Sequence, residues 1–361
     1  MERLIPQLII FVSVFVSALA PADAYVKSIL VFGDSQLDPG NNKFIKNCLL
    51  QANYTPYGLS YFRFPTGRFS NGRIVPDFLA QYLGIEFQKP YEEVYRKLAK
   101  DRRMRFPANG LNFASGGSGL LQDTNKKSRV TTIKGQLQQF QDLIAQRRLH
   151  KIQVRNSLVL LEVGSTDILS YFLFPGASNM TLRTYVHTML KEVIRFTSII
   201  YKNGGRRIVL MSVGPVGCLP GRVAIRDAPT NKCVDKINNM VKYFNAGLKR
   251  IVFNIPRMFP RAIGVYGSMF ETVKKFRVNP KLYGFTNVTH ACCGGGPLNG
   301  VLRCGARGYK LCSHPNQYFF WDNFHPTEHT YKLVSKAFWG GSKKEAWPIN
   351  LKTLARIPPF A

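Results

Sequence analysis

The chain is expected to fold as an α/β protein with a mainly parallel sheet covered by helices on both faces. Short continuous apolar runs, such as residues 28–32 and 157–163, read as strands buried on both sides. Amphipathic stretches of helical spacing separate them. The two kinds of segment alternate along most of the chain, the pattern of a parallel sheet built from crossover units.

The first strand covers residues 27–32. A short amphipathic helix follows at 74–83, ended by Gly84. The polar stretch 96–105 reads as exposed helix plus loop. A short strand at 111–114 runs into the glycine-rich segment 115–119. Residues 133–146 place Ile133, Leu137, Phe140 and Ile144 on one helical face. Residues 157–164 are a buried strand, and 181–202 a long helix stopped by Asn203-Gly204-Gly205. Residues 207–213 are another buried strand, 235–253 a second long helix, and the run after Pro326 a final helix. Ligands in such folds sit beyond the carboxyl ends of the strands. Ser35, Gly116 and the triplet Gly164-Ser165-Thr166 each follow a strand directly, so they are expected on one rim.

Residues 1–24 read as a secretory signal. Arg3 precedes an apolar run at 8–16, and Ala22-Asp23-Ala24 matches the small-x-small cleavage pattern. The run is shorter than the ~20 residues a spanning helix needs, and no later segment is long and apolar enough. The mature protein, residues 25–361, is expected to be soluble, extracytoplasmic and a single domain. No linker, repeat or low-complexity tract divides it, and 45% apolar residues suffice for a large core.

Seven cysteines fit an oxidising compartment. Cys218 and Cys233 suggest one local loop. Cys292 and Cys293 are expected to take different partners, with Cys304 and Cys312 in the same stapled segment, and Cys48 is left free. A zinc site from Cys292, Cys304, Cys312 and His314 competes, but the C-x-x-C pairs of zinc modules are missing. No metal or cofactor is expected. Sequons at Asn53, Asn179 and Asn287 mark candidate glycans. Fifty Lys and Arg against twenty Asp and Glu give +30. Export argues against nucleic acid as the partner. The charge fits an acidic cell-wall polysaccharide or an anionic membrane face, and equally a scatter for solubility.

Chemistry concentrates at Gly33-Asp34-Ser35 and at Asp322-Asn323-Phe324-His325. A serine hydroxyl becomes a good nucleophile when a histidine takes its proton and a carboxylate fixes the histidine's tautomer. The two segments lie near opposite ends of the chain, so the fold must bring them together. Asp322 has a competing role as a helix cap before Pro326. His329, four residues after His325, reads as a packing residue. His150, His187 and His290 read as surface residues.

Taken together, the blocks resemble the plant GDSL-motif esterases/lipases of the SGNH hydrolase superfamily. The blocks are Phe32 through Asn42 (FGDSQLDPGNN), Gly67 through Arg73 (GRFSNGR) and Asn112 through Gly117 (NFASGG). Gly214 through Pro220 (GPVGCLP) and Trp321 through Glu328 (WDNFHPTE) complete the set. Each is weak alone; all of them in this order are specific, and they cover almost the whole mature chain. The resemblance implies a three-layer flavodoxin-like α/β/α fold and ester hydrolysis, with lipid acyl esters or acyl and acetyl esters of wall polymers as substrates and the plant apoplast or cell wall as location. It implies Ser35 as nucleophile, His325 as base then acid, Asp322 as orienting carboxylate, and the Ser35 and Gly116 amides as oxyanion donors. One block departs from the pattern. The Asn of Gly-x-Asn-Asp, the third donor, is Thr166 here. That substitution and the charge leave a second expectation open, a cationic wall-binding protein with little or no turnover.

Overall fold

The computed structural model describes residues 25–101, 103–104, 106–173, 179–224 and 232–358; the signal segment lies outside them. Five parallel strands build the main sheet: β1 (Ser28–Gly33), β2 (Gly110–Asn112), β3 (Ser157–Glu162), β4 (Arg207–Met211) and β5 (Ile263–Gly267). They lie in the order β2-β1-β3-β4-β5, and Ala346–Trp347 adds an antiparallel edge beside β5. Ile29 is in register with Gly110 on one side and Leu158 on the other, Val159 with Ile208, and Val209 with Val265.

Every residue of β1, β3 and β4 is buried, as an unbroken apolar run requires: an alternating strand would leave one face wet. Phe32 is fully buried, stacks on Phe113 at 4.8 Å and meets Phe140 and Phe196 edge-on. An aromatic so placed is worth about 3–5 kcal/mol against alanine.

The helices are α1 (Val75–Leu83), α2 (Tyr91–Lys100), α3 (Ile133–Ala145), α4 (Lys151–Asn156) and α5 (Ser165–Leu173), then α6 (Leu182–Lys202), α7 (Asp235–Met258), α8 (Met269–Val278), α9 (Glu328–Gly340) and α10 (Leu351–Arg356). One group packs together through α9, which touches α1, α8 and α10. In the other, α6 packs on α7 and α7 on β5. Thr132, Thr181 and Thr327 start α3, α6 and α9 by accepting the amides of Gly135, Thr184 and Thr330.

The apolar-run signal failed in identifiable places. The five residues of β5 include two glycines, so no continuous run announces them. The helix expected within 96–105 is the end of α2, which begins at Tyr91 and stops at Lys100. Helices α5 and α8 were not expected, and α7 runs on past Pro256 to Met258. The strands expected to reach 164 and 213 stop at Glu162 and Met211.

A small lobe lies outside the main sheet. Asn287–Ala291 pairs in parallel with Tyr318–Phe320, and disulfides Cys292–Cys312 and Cys293–Cys304 staple the chain between them. Cys218–Cys233 joins the loop after β4 to the start of α7. Cys48 is a buried free thiol.

Candidate active site

β1 ends in a turn that only glycine can make. A Cβ on Gly33 would stand 2.3 Å from the Glu162 carbonyl oxygen, because β1 and β3 approach closely here. The Gln136 side chain grips the same residue, accepting from its amide at 3.0 Å and donating to its carbonyl at 2.8 Å. Asp34 is fully buried; its carboxylate accepts the Gln36 amide at 3.0 Å and the Ser165 hydroxyl at 2.5 Å. The turn is thereby tied to β3, α3 and the start of α5, with Ser35 half-buried at its tip.

The structure brings Ser35 and the distant His325 together. Ser35 Oγ lies 2.8 Å from His325 Nε2. His325 Nδ1 lies 2.8 Å and 2.9 Å from the two oxygens of Asp322. Asp322 Oδ1 also accepts the amides of Phe324 and His325, both at 2.8 Å, so the carboxylate is fixed by its own loop. The helix cap that competed for Asp322 is Thr327 instead. Tyr57 donates its hydroxyl to Asp322 Oδ2 at 2.7 Å. Burial opposes ionisation of Asp322, but His325, Tyr57 and the Phe324 amide outweigh it and hold the carboxyl below its usual range. With that carboxylate at Nδ1, the neutral imidazole carries its proton there and turns the Nε2 lone pair to Ser35.

The imidazole is held by packing as well. Phe69 lies against its ring at 4.9 Å, and Tyr57 meets Phe69 and Trp321 edge-on. These rings share a small core with Cys292, Cys293 and Cys304. Cys292 and Cys293 donate their amides to the carbonyls of Phe320 and Trp321. The disulfide lobe thus braces the strand that leads into the histidine. From the other side, Asn71 accepts the Glu328 amide at 2.8 Å and Arg73 pairs with the Glu328 carboxylate.

The Gly116 amide, expected to face the oxyanion, donates instead to Asp38 Oδ2 at 2.8 Å. Among the described residues, the Ser35 and Gly117 amides have no acceptor. Thr166 is the second residue of α5, half-buried, and its hydroxyl likewise has no partner among the described residues.

A second carboxyl lies under the nucleophile turn. Glu162 is 2% exposed, shares a hydrogen bond with Asp34, and its Oε2 has no partner among the described residues. Burial first and the Asp34 charge second push Glu162 well above the carboxylate range. A raised carboxyl contributes its stability below its unfolded value of 4.5 and loses it as pH rises through the folded one. Glu162→Gln removes the titration and keeps a donor for Asp34. The variant should gain on wild type as pH rises from about 4.5 to neutral, by up to ~1.4 kcal/mol per pH unit. Melting temperatures across that range check this, and a constant difference would refute it.

Asn53 and Asn179 are exposed, while Asn287 is half-buried and accepts the amides of Thr289 and His290. His329 packs on Phe285 and meets the Tyr283 carbonyl at 2.8 Å. His187 and His290 have partners the sequence did not suggest, Tyr243 and Thr289. Tyr57, Glu162 and Asp38 were also missed. Asp38 stood in a quoted block, but no local pattern marks Tyr57 or Glu162.

The family described as GDSL-like Lipase/Acylhydrolase matches residues 29–338. GDSL esterase/lipase 6 of Arabidopsis thaliana is 48% identical over 337 residues, 93% of this chain and 92% of that one. GDSL esterase/lipase 7 of the same plant is 35% identical, over 94% of this chain and 93% of its own. GDSL esterase/lipase 5 is 31% identical, over 93% and 89%.

Proposed function

The chain belongs to the GDSL-like lipase/acylhydrolase family, and on that footing we propose that it cleaves carboxylic esters through Ser35, His325 and Asp322 by way of an acyl-enzyme. Membership makes the protein a carboxylic ester hydrolase. The single observation that carries the mechanism is the 2.8 Å contact between Ser35 Oγ and His325 Nε2.

Ser35 Oγ bonds to the ester carbonyl carbon as its proton passes to His325 Nε2. Asp322 stabilises the imidazolium that forms. The carbonyl oxygen gathers negative charge facing the Ser35 and Gly117 amides. As the carbon–oxygen bond breaks, His325 returns the proton to the departing alcohol. Water, deprotonated by His325, then releases the acid and restores Ser35.

Lipid acyl esters and acyl or acetyl esters of wall polymers are the substrate classes in view. A cleft of about 900 Å³ is lined by Asn125, Ser170, Tyr171 and Tyr185, and neither Ser35 nor His325 lines it. Asn125 also donates to the Gly117 carbonyl at 3.0 Å, so the cleft abuts the proposed oxyanion loop. Three disulfides and the N-terminal signal pattern support secretion to the plant cell exterior.

Hydrolysis of p-nitrophenyl esters of rising chain length, with a phosphonate probe for Ser35, tests the reading. Turnover with labelling at Ser35 supports it. A folded protein that is neither active nor labelled would be the cationic wall-binding protein instead.

Thr166 is the family's third oxyanion position carrying a shorter donor. Thr166→Asn should raise kcat by ~10-fold, against the ~10²–10³ that a full donor is worth. KM should change less, because the donor acts on charge that develops in the transition state. Thr166→Val keeps the shape and removes the hydroxyl, so a large loss there would show that threonine already donates. No gain with Asn and no loss with Val would place residue 166 outside the hole.

A further inference from the structure

We propose that Asp38 and Asn42 are positioning residues that clamp the two peptide planes flanking Gly116 and so aim the Gly117 amide at the reacting carbonyl. The inference rests on the ester hydrolysis proposed above.

The clamp has two jaws. Asp38 is 0% exposed, and its Oδ1 accepts the amides of Gly40 at 2.7 Å and Asn41 at 2.6 Å. Its Oδ2 takes the Gly116 amide at 2.8 Å, which fixes the plane between Ser115 and Gly116. Asn42 is 1% exposed and donates Nδ2 to the Gly116 carbonyl at 2.8 Å and the Leu50 carbonyl at 2.7 Å. The Gly116 carbonyl and the Gly117 N–H belong to one planar trans peptide and point in opposite directions. Holding that carbonyl therefore dictates where the Gly117 N–H points. Asn42 Oδ1 is itself held by the Ser115 hydroxyl at 2.5 Å.

The surroundings forbid the flipped peptide. A flip would leave buried Asn42 Nδ2 and the Gly116 carbonyl without each other, and buried polar groups are costly to leave unmatched. Asn41 ties down the approach to the loop, donating to the carbonyls of Asn112 and Ala114 at 2.9 and 2.8 Å. A Cβ on Gly116 would meet the Phe69 ring at 2.4 Å, and Phe69 is the ring packed on His325. The loop is thus seated between the clamp and the histidine.

An aspartate is required at 38 because three amides converge on it. Asparagine keeps the volume but has one acceptor oxygen, so its NH₂ must face an N–H on one side. Burial pushes the Asp38 carboxyl up to about 6, and the converging amides work against that rise.

The test compares wild type, Asp38→Asn, Asn42→Ala and a control, Ser157→Ala. Ser157 is buried at the far end of β3, where it bonds Ser28. Kinetics on one p-nitrophenyl ester are normalised to sites titrated to completion with the phosphonate, so that partial unfolding is not counted as lost turnover. Asp38→Asn and Asn42→Ala should each lower kcat per titrated site by ~10- to 10²-fold, the scale of one oxyanion donor, with KM within ~3-fold. The control should lose melting temperature and keep its kcat. Wild-type kcat in both folded variants, or losses confined to KM, would overturn the clamp while leaving ester hydrolysis in place. If Asp38→Asn does not fold, Asn42→Ala decides alone. A wild type that neither turns over nor labels at Ser35 would overturn both readings.

Discussion

Ser35→Ala is expected to lower kcat for ester hydrolysis by at least ~10⁴-fold and to leave the fold intact. The hydroxyl supplies the atom that bonds to carbon, and nothing else in the turn replaces it. Its hydrogen bond is to His325 Nε2, while the turn is held by Asp34, Gln136 and the β3 carbonyl. Removing one half-buried oxygen leaves those ties in place. His325→Ala should fall to the same floor, and the double variant should go no lower, because members of such a unit do not add. Residual rate above water would come from the amides facing the carbonyl oxygen. Kinetics with circular dichroism and a melting curve check this; wild-type turnover in Ser35→Ala would end the mechanism.

Asp322→Asn should lower kcat by ~10³- to 10⁴-fold with little change in KM. The carboxylate accepts four donors: two amides, the Tyr57 hydroxyl and His325 Nδ1. An amide side chain cannot accept all four. Where its NH₂ meets the imidazole, the neutral ring must move its proton to Nε2. His325 then offers Ser35 an N–H where a lone pair is needed. Turnover within 10-fold of wild type would show that the carboxylate does not set the tautomer.

The parts of this molecule that could be read from sequence are those with a local signature. Apolar runs located β1, β3 and β4, and amphipathic spacing located α1, α3, α6 and α7. The order of quoted blocks pointed to Ser35, Asp322 and His325, which short motifs carry and which the fold brings within hydrogen-bond reach of one another. β5 escaped because its glycines interrupt the run. Tyr57 escaped because its partner Asp322 is 265 positions away and a lone tyrosine advertises nothing. In the pair Gly116-Gly117, the amide expected to face the oxyanion is the one bonded to Asp38, for a related reason. Which of two adjacent N–H groups is free depends on Asp38, 78 positions earlier, and no local pattern records that.

The hydrogen bond between Ser35 and His325 joins residues 290 positions apart. The ribosome completes the chain in the opposite sense to the reaction, nucleophile first and base last. At translation speeds of about 5–20 residues per second, Ser35 precedes His325 by roughly 15–60 s. For that interval the growing polypeptide holds the serine without the imidazole proposed to activate it, His325. On the proposed mechanism, a product truncated before residue 322 lacks both the orienting carboxylate and the base and is expected to have no esterase activity.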